Sequence, residues 1–396
     1  RRIEMISSDV MKTIQATVPV LAEHGQAITT IFYQKMFAAH PELKNMFNMA
    51  HQAKGEQQRA LAEAVLNYAS KIDQLVELGP MVKRIAHKHA SLNIQPEHYP
   101  IVGKYLLEAI QVFLNLPQDH EILRAWGVAY SALAQIFIDT ESAVYCQSAE
   151  MKGGWLGFKP FKISKIVQET QDIKSFYLIP EDGQLVDFKA GQYVGVKLLN
   201  VADGYDAIRQ YSLSSMPGEN YYRITVKAES NDPENKGIVS NLLHNYTVGD
   251  VLYLQPPTGD FVLVNQDKHR VFIAGGVGIT PLLSMLQHSL KEGGNANITF
   301  IQAVRNKEHH LMNEWFKQLK NQGLDYYCSY DDESGADHQG YLTEQVLSRW
   351  IPSSDVEVYC CGPNPFMSAM KQQCILLNIP EAQFHYEVFG PSLTIA

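Results

Sequence analysis

Cysteine is scarce in this chain: Cys146, Cys328, Cys360, Cys361 and Cys374 are the only five among 396 residues. Their number is odd and no pair has C-x-x-C spacing. That argues against a disulfide framework or a zinc ribbon and fits reduced thiols in the cytoplasm. No apolar run reaches the roughly 18 residues of a membrane span, so no stable membrane association is expected. The opening RRIEMISSDV has a basic pair but no apolar core, so it does not read as a secretory signal. It also lacks a leading Met, which leaves the native status of Arg1 to Glu4 open. Basic residues are in deficit: the net charge is −9, where a nucleic-acid surface would want clustered Lys and Arg. Internal repeats and low-complexity tracts are also missing.

The composition is that of a globular protein, 45% apolar and 19% charged, with length for two to four domains. Three textures follow one another. Residues 1–147 show helical periodicity, with helices expected near 8–24, 26–39, 55–70, 75–90, 97–114 and 119–146. Pro41, Pro80, Pro96 and Pro117 stand at their boundaries. SAEMKGGWLG, residues 148–157, contains Gly153 and Gly154 and reads as a linker. Residues 158–265 hold short β-branched and aromatic runs (FKISKIV, SFYLIP, QYVGVKLL, RQYSLSS, YRITVKA, DVLYLQPP), the pattern of an antiparallel β-barrel. Residues 268–396 alternate strand and helix, which indicates an α/β parallel sheet.

Three histidines crowd into IAHKHASLNIQPEHY, residues 85–99. His89 continues the apolar stripe Leu78, Val82, Ile85 of the helix over 75–90. His87 lies about 200° round the helix and faces elsewhere, as expected for a solvated side chain. His98 falls in the first turn of the next helix. On the stripe alone, a hydrogen-bonded core histidine is the commoner role. Glu141 follows Trp126, Tyr130, Leu133 and Phe137 on the inward stripe of the last helix, where a carboxyl is costly unless paired. A His, a Tyr (Tyr99) and a Glu from three helices would form a network around a metal ligand. Glu141 near a frayed helix end, in water, is the alternative, and these residues alone leave both readings open.

The motifs then carry a resemblance. FYQKMFAAHPELKNMFNM, GEQQRAL, IAHKHASLNI, QPEHYPIVG and DTESAVY occur in the order found in flavohemoglobins, and the entire chain resembles that family. The resemblance implies an all-α globin domain binding haem b, then an antiparallel β-barrel FAD-binding domain, then an α/β parallel-sheet NAD(P)-binding domain. It places Tyr33 and Gln57 on the distal side of the haem and Phe47 against it. His89 becomes the proximal iron ligand, and Tyr99 and Glu141 its hydrogen-bond partners. Lys88 is either a solvated charge or a tuner of the haem and flavin potentials, and the resemblance leans to the latter. His51, in the corner loop, is expected to be structural or solvated.

The same resemblance covers the second half. RQYS fits the R-x-Y-S pattern of ferredoxin-reductase-like flavoproteins, implying FAD contacts at Arg209, Gln210, Tyr211 and Ser212. KAGQY supplies Tyr193, with Ala190 where the family usually has Pro. Gly237 and Ser240 of GIVS match a diphosphate-binding G-x-x-S. YEVFGP adds Glu387, Val388, Phe389, Gly390 and Pro391 on the flavin side. AGGVGITP brings Gly275, Gly276, Val277, Gly278, Ile279, Thr280 and Pro281 to a strand-to-helix turn suited to a pyrophosphate. YCCGPNPFM puts Cys361, Gly362 and Pro363 near the nicotinamide. Arg305 fits a 2′-phosphate or a solvated loop charge, so NADH and NADPH both stay open.

The implied function is an NAD(P)H-dependent nitric oxide dioxygenase. Electrons would pass through FAD to haem, and NO and O₂ would become nitrate. The resemblance further implies a cytoplasmic monomer with small-molecule partners and no nucleic acid. An oxygen or NO sensor, or a flavin reductase with a vestigial globin, are the competing readings. Glu141 with Tyr99 favours an enzyme, because an oxygen store needs no electron-donating proximal ligand.

Overall fold

The computed structural model describes residues 6–229, 238–264 and 267–390. Gly237 and Pro391, two of the expected FAD contacts, lie outside the described residues, as do Arg1 to Glu4. The chain forms two compact units: the helical residues to Glu150 with Lys197–Arg209, and Met151–Val196 with Gln210–Gly390.

In the helical unit, α1 (Ser8–Ala16) starts where the Ser7 hydroxyl accepts from the Val10 N–H, 3.3 Å. The sequence puts the next boundary near residue 25, but α2 runs over Val18–Ala39. Pro19 in its first turn can begin a helix but not continue one. The Thr17 hydroxyl closes the preceding turn onto the Ile14 carbonyl, 2.6 Å. Gly25 is a packing residue, since a Cβ there would lie 3.1 Å from Ala62 Cβ. It brings α2 against α4 (Glu56–Ser70), which follows the short α3 (Met49–Ala53). Thereafter come α5 (Gly79–Ser91), α6 (His98–Leu114) and α7 (Glu121–Glu150), the last running into the expected linker. Their apolar faces meet around Ile14, Phe32, Met36, Tyr68, Ile72 and Trp126. Tyr68, fully buried, donates its hydroxyl to the Ala129 carbonyl, 2.7 Å.

The next layer is a six-stranded sheet: β1 (Lys159–Thr170), β2 (Ile173–Pro180), β3 (Tyr193–Ala202), β4 (Tyr205–Ser212), β5 (Tyr222–Lys227) and, after helix α8 (Ile238–Leu243), β6 (Val251–Leu254). The order is β4-β3-β6-β1-β2-β5. Alternation drives it: Phe161 and Ile163 are buried while Lys162 and Ser164 between them are exposed. The expected barrel is met as an antiparallel sheet whose two edges touch, through an isolated bridge between Leu213 and Ile224. The Ser214 N–H donates to Arg223 O beside it, 2.7 Å.

The last layer alternates: β7 (His269–Gly275), α9 (Ile279–Gly293), β8 (Ile298–Val304), α10 (Asn313–Asn321), β9 (Asp325–Tyr330), β10 (His338–Gln339), α11 (Glu344–Trp350), β11 (Val356–Cys361), α12 (Asn364–Leu376) and β12 (Phe384–Glu387). The sheet is parallel, in the order β10-β9-β8-β7-β11-β12. The chain winds outward from β7, then returns to its other side at β11. The crevice at the carboxyl ends of β7 and β11 is therefore the topological switch point, where ligands bind in such sheets.

A buried polar cluster fills one flank of this layer. His310 Nε2 meets the Tyr326 hydroxyl at 2.6 Å and its Nδ1 meets the Tyr330 hydroxyl at 2.8 Å. Tyr326 donates onward to Gln302 Oε1, 3.0 Å. Burial, assisted by Lys317, lowers the His310 pKa to about 4 from 6.5. Because the folded-state value lies below the unfolded one, protons favour the unfolded chain. This contribution to stability is complete above pH 6.5 and is lost as pH falls toward about 4. His310→Gln is expected to flatten the loss of stability over that interval, read as the urea midpoint against pH for the full-length protein and the variant.

Candidate active site

His89 sits in the last turn of α5, between buried Ala86 and Ala90. Its Nδ1 is 2.6 Å from Glu141 Oε1 on α7, and the Tyr99 hydroxyl at the start of α6 donates to the same Oε1 at 2.6 Å. Tyr99 is also 3.2 Å from Nδ1. Glu141 is 2% exposed and Tyr99 8%. A carboxyl oxygen in this setting accepts, so Nδ1 carries the ring proton. The other nitrogen, Nε2, then has its lone pair available, as a metal-ligating imidazole requires. The His89 side chain remains 32% exposed. The Phe137 ring packs 5.7 Å from the imidazole and is stacked on Tyr99 at 6.5 Å. Burial first, and then the Glu141 charge, push the Tyr99 phenol well above its ordinary pKa, so it stays a donor.

The other two histidines of the stretch have local roles. His98 Nδ1 accepts from the Gln95 N–H, 2.9 Å, and burial lowers its pKa. His87 is half-buried, so it is less open to water than its position on the helix suggests. His51 lies on α3 rather than in a loop and pairs with Glu56 at 3.6 Å. Lys88 is half-buried and its carbonyl accepts from Ser91 Oγ, 2.6 Å.

Helices α2 and α4, packed on each other, carry the other candidate residues of the helical unit. Thr29 Oγ1 donates to the Gln58 carbonyl, 2.8 Å, aligning the two helices one turn before Tyr33. Tyr33, Phe37 and Phe47 form an aromatic cluster with centroids 5.3 to 5.8 Å apart. Burial raises the Tyr33 pKa. Gln57 Oε1 accepts from Gln52 Nε2, 2.6 Å. The sequence did not single out Gln52, because its side-chain partners lie on another helix. An imidazole with its Nε2 available, an aromatic cluster and a buried polar set on separate helices suit a haem held by one histidine.

On β4, Arg209 and Tyr211 lie two residues apart and share a face, half-buried; Gln210 points to water and Ser212 is buried. The Arg209 guanidinium donates to Asn48 Oδ1 and to its own neighbour Ile208 O, both 2.8 Å. Tyr193 is buried, and Ser240 Oγ accepts from the Glu229 N–H, 3.4 Å. Glu387 and Val388 are buried at the end of β12, whereas the next ring, Phe389, is 46% exposed. An exposed aromatic following a buried turn is suited to stacking on a planar ring.

At the switch point two loops touch backbone to backbone. A Cβ at Gly278 would lie 2.3 Å from Cys361 O and 2.5 Å from the Gly362 nitrogen. One at Gly362 would lie 3.0 Å from Gly275 Cα. Gly276 is exposed and Val277 half-buried; Ile279, Thr280 and Pro281, all buried, open α9. The Thr280 hydroxyl closes the first turn onto Val277 O, 3.2 Å. Backbone at a helix start with no side chains in the way fits an anionic pyrophosphate. Burial, then the Glu387 charge, raises the Cys361 pKa, so the sulfur remains a thiol and donates to Glu387 O at 3.5 Å. Gly362 is buried and Pro363 exposed at the head of α12. Arg305 is 71% exposed and pairs with Asp332 at 3.6 Å.

Comparison with known proteins covers all three layers. Residues 30–137 match the globin family, 160–263 an oxidoreductase FAD-binding domain, and 272–372 an oxidoreductase NAD-binding domain. The chain is 44% identical to a flavohemoprotein of Oceanobacillus iheyensis, over 99% of this chain and 98% of that one. It is 43% identical to a flavohemoprotein of Pseudomonas aeruginosa, over 99% and 100%. A crystal structure of a flavohemoglobin from Malassezia yamatoensis, with bound FAD and heme, superposes with a TM-score of 0.85. It shares 28% identity and covers 97% of this chain and 100% of its own. The FAD/NAD-binding domain of a nitric oxide dioxygenase from Vibrio cholerae is 37% identical over 59% of this chain and 99% of its own, with a TM-score of 0.55.

The proximal network yields a stability prediction. Removing the Tyr99 hydroxyl takes one of two donors from a buried carboxyl. Tyr99→Phe is expected to destabilise the helical unit by about 1.5–3 kcal/mol, read by urea denaturation followed through far-UV circular dichroism.

Proposed function

The chain belongs to the flavohemoproteins, and from that premise we propose that it is an NAD(P)H-dependent nitric oxide dioxygenase that converts NO and O₂ to nitrate. The observation that carries the reading is the 2.6 Å contact between His89 Nδ1 and Glu141 Oε1, with Tyr99 donating to the same oxygen. When bound, nicotinamide supplies a hydride, FAD divides it into single electrons, and haem iron is the place where O₂ and NO react.

The residues have separable tasks. His89 Nε2 would ligate the iron. Glu141 draws on the Nδ1 proton and makes the imidazole a stronger donor, which favours oxygen chemistry over simple release. Tyr99 keeps the Glu141 oxygen aimed at Nδ1. Tyr33 and Gln57 would direct donor hydrogens at a small ligand and stabilise negative charge on it. Phe47 would lie against the haem, with Lys88 near its edge. Tyr193, Arg209, Gln210, Tyr211, Ser212, Ser240, Glu387, Val388, Phe389 and Gly390 would hold FAD, Arg209 as a fork donor to the diphosphate. Gly275 to Pro281 would cradle the nicotinamide dinucleotide. Cys361, Gly362 and Pro363 would border the nicotinamide, where a protonated thiol is a soft, uncharged wall.

The test is NO consumption by the full-length protein loaded with both prosthetic groups. Turnover is expected to require both O₂ and NAD(P)H. Glu141→Gln is expected to lower it about 10- to 100-fold. Tyr33→Phe is expected to lower it by about 10²-fold. If Glu141→Gln leaves NO turnover unchanged, or if His89→Phe turns NO over as fast as the parent, the reading is wrong.

A further inference from the structure

We propose that Gln52 is the positioning residue of the distal side: it fixes which atoms of the Gln57 amide are presented to a ligand. The inference rests on the reading of that side as a haem pocket. Gln52 stands on α3, Gln57 and Gln58 at the start of α4, and Tyr33 on α2. Gln52 is 8% exposed and Gln58 9%. Every polar atom of the Gln52 side chain has a partner: Oε1 accepts from Gln58 Nε2 at 2.9 Å, and Nε2 donates to Gln57 Oε1 at 2.6 Å.

The polarity of this chain follows from one contact. The Gln58 amide also approaches the Gln52 backbone carbonyl, 3.1 Å. A carbonyl only accepts, so the Gln58 atom facing it is Nε2. That same Nε2 must then meet an acceptor on the Gln52 side chain, which is Oε1. The far end of the Gln52 amide is therefore Nε2, and the Gln57 atom it meets has to be Oε1. With its oxygen tied back, the Gln57 amide has its N–H₂ left to turn toward a ligand.

The Gln52 amide thus engages the Gln57 oxygen and leaves the Gln57 hydrogens for the ligand. A cost marks the arrangement: Gln58 Oε1 is buried with no hydrogen-bond partner among the described residues. Orienting Gln58 the other way would give that oxygen Gln52 Nε2, but would lose the donor to the Gln52 carbonyl and reverse the amide of Gln57.

The experiment uses the full-length protein loaded with haem and FAD. It reads the O₂ dissociation rate of the ferrous protein by stopped flow and the CO stretching band of its carbon monoxide complex. Gln52→Met, of similar length but without donors, is expected to speed O₂ dissociation by about fivefold or more and to broaden or split the CO band. Gln52→Glu keeps the acceptor for Gln58 but has no N–H. It is expected to speed dissociation as well, and it is read alone if the Met variant does not fold. In a Tyr33→Phe/Gln57→Leu background, Gln52→Met should change the rate by less than about twofold, because the Gln57 amide it acts through is gone. The inference is overturned if Gln52→Met leaves both rate and band as in the parent, or if its effect persists in that background. If the Tyr33→Phe/Gln57→Leu pair itself leaves dissociation unchanged, the distal reading fails, and this inference with it.

Discussion

The helical unit is organised around one constraint: the carboxyl of Glu141, 2% exposed, needs donors. A carboxyl left unpaired at that depth would cost several kcal/mol. Its donors come from two other helices, His89 of α5 and Tyr99 of α6. Both of those helices are pinned further. The Tyr130 hydroxyl donates to the Tyr99 carbonyl and the Tyr145 hydroxyl to the Ile94 carbonyl, each at 2.7 Å and each from α7. The imidazole therefore has one orientation, set by the same contacts that hold three helices together. A site built this way gains its geometry from the packing rather than from the ligand it is to hold.

The reductase layers solve a different problem. A flexible dinucleotide needs backbone amides close to its phosphates, and side chains would stand in the way. Here the loops after β7 and β11 approach so closely that Gly278 and Gly362 have no space for a Cβ, and the Phe366 ring leaves none at Gly275. The candidate polar side chains stand on other elements: Arg209 on β4, Ser240 on α8 and the buried Glu387 on β12. The buried His310–Tyr326–Gln302 set shows that the layer holds polar groups in its interior by pairing them with one another.

How much of this the sequence reveals depends on whether a contact follows helical or strand periodicity. His89 and Glu141 lie on apolar stripes, so a polar residue on a buried face is visible at both places. Tyr99 is legible only from its place after His98, and the resemblance to a family does most of that work. Gln52 is invisible, because its partners are set by the turn between α3 and α4, which has no sequence period. The break lies at Thr17 rather than near residue 25, because Pro19 can open a helix but not continue one. The near-closure of the antiparallel sheet depends on Leu213 and Ser214, just past β4, meeting Ile224 and Arg223 of β5, beyond the reach of strand patterns. His310 is hidden in the same way: its partners Tyr326 and Tyr330 come from β9, and Gln302 behind Tyr326 from β8, aligned by sheet register.

Both sides of the proposed haem use one device. On the proximal side an acceptor outside the ligand, Glu141, takes the proton of Nδ1 and so decides what Nε2 can do. On the α4 side Gln52 takes the Gln57 oxygen, which leaves the Gln57 N–H₂ for a ligand. On the proposed reading, His89 and Glu141 would favour negative charge on a small ligand and Gln57 would stabilise it. The two effects would reinforce each other only if both polarities are fixed, since a reversed Gln57 amide would set an oxygen against that charge. That dependence would tie the buried polar network around Glu141 to the one around Gln52.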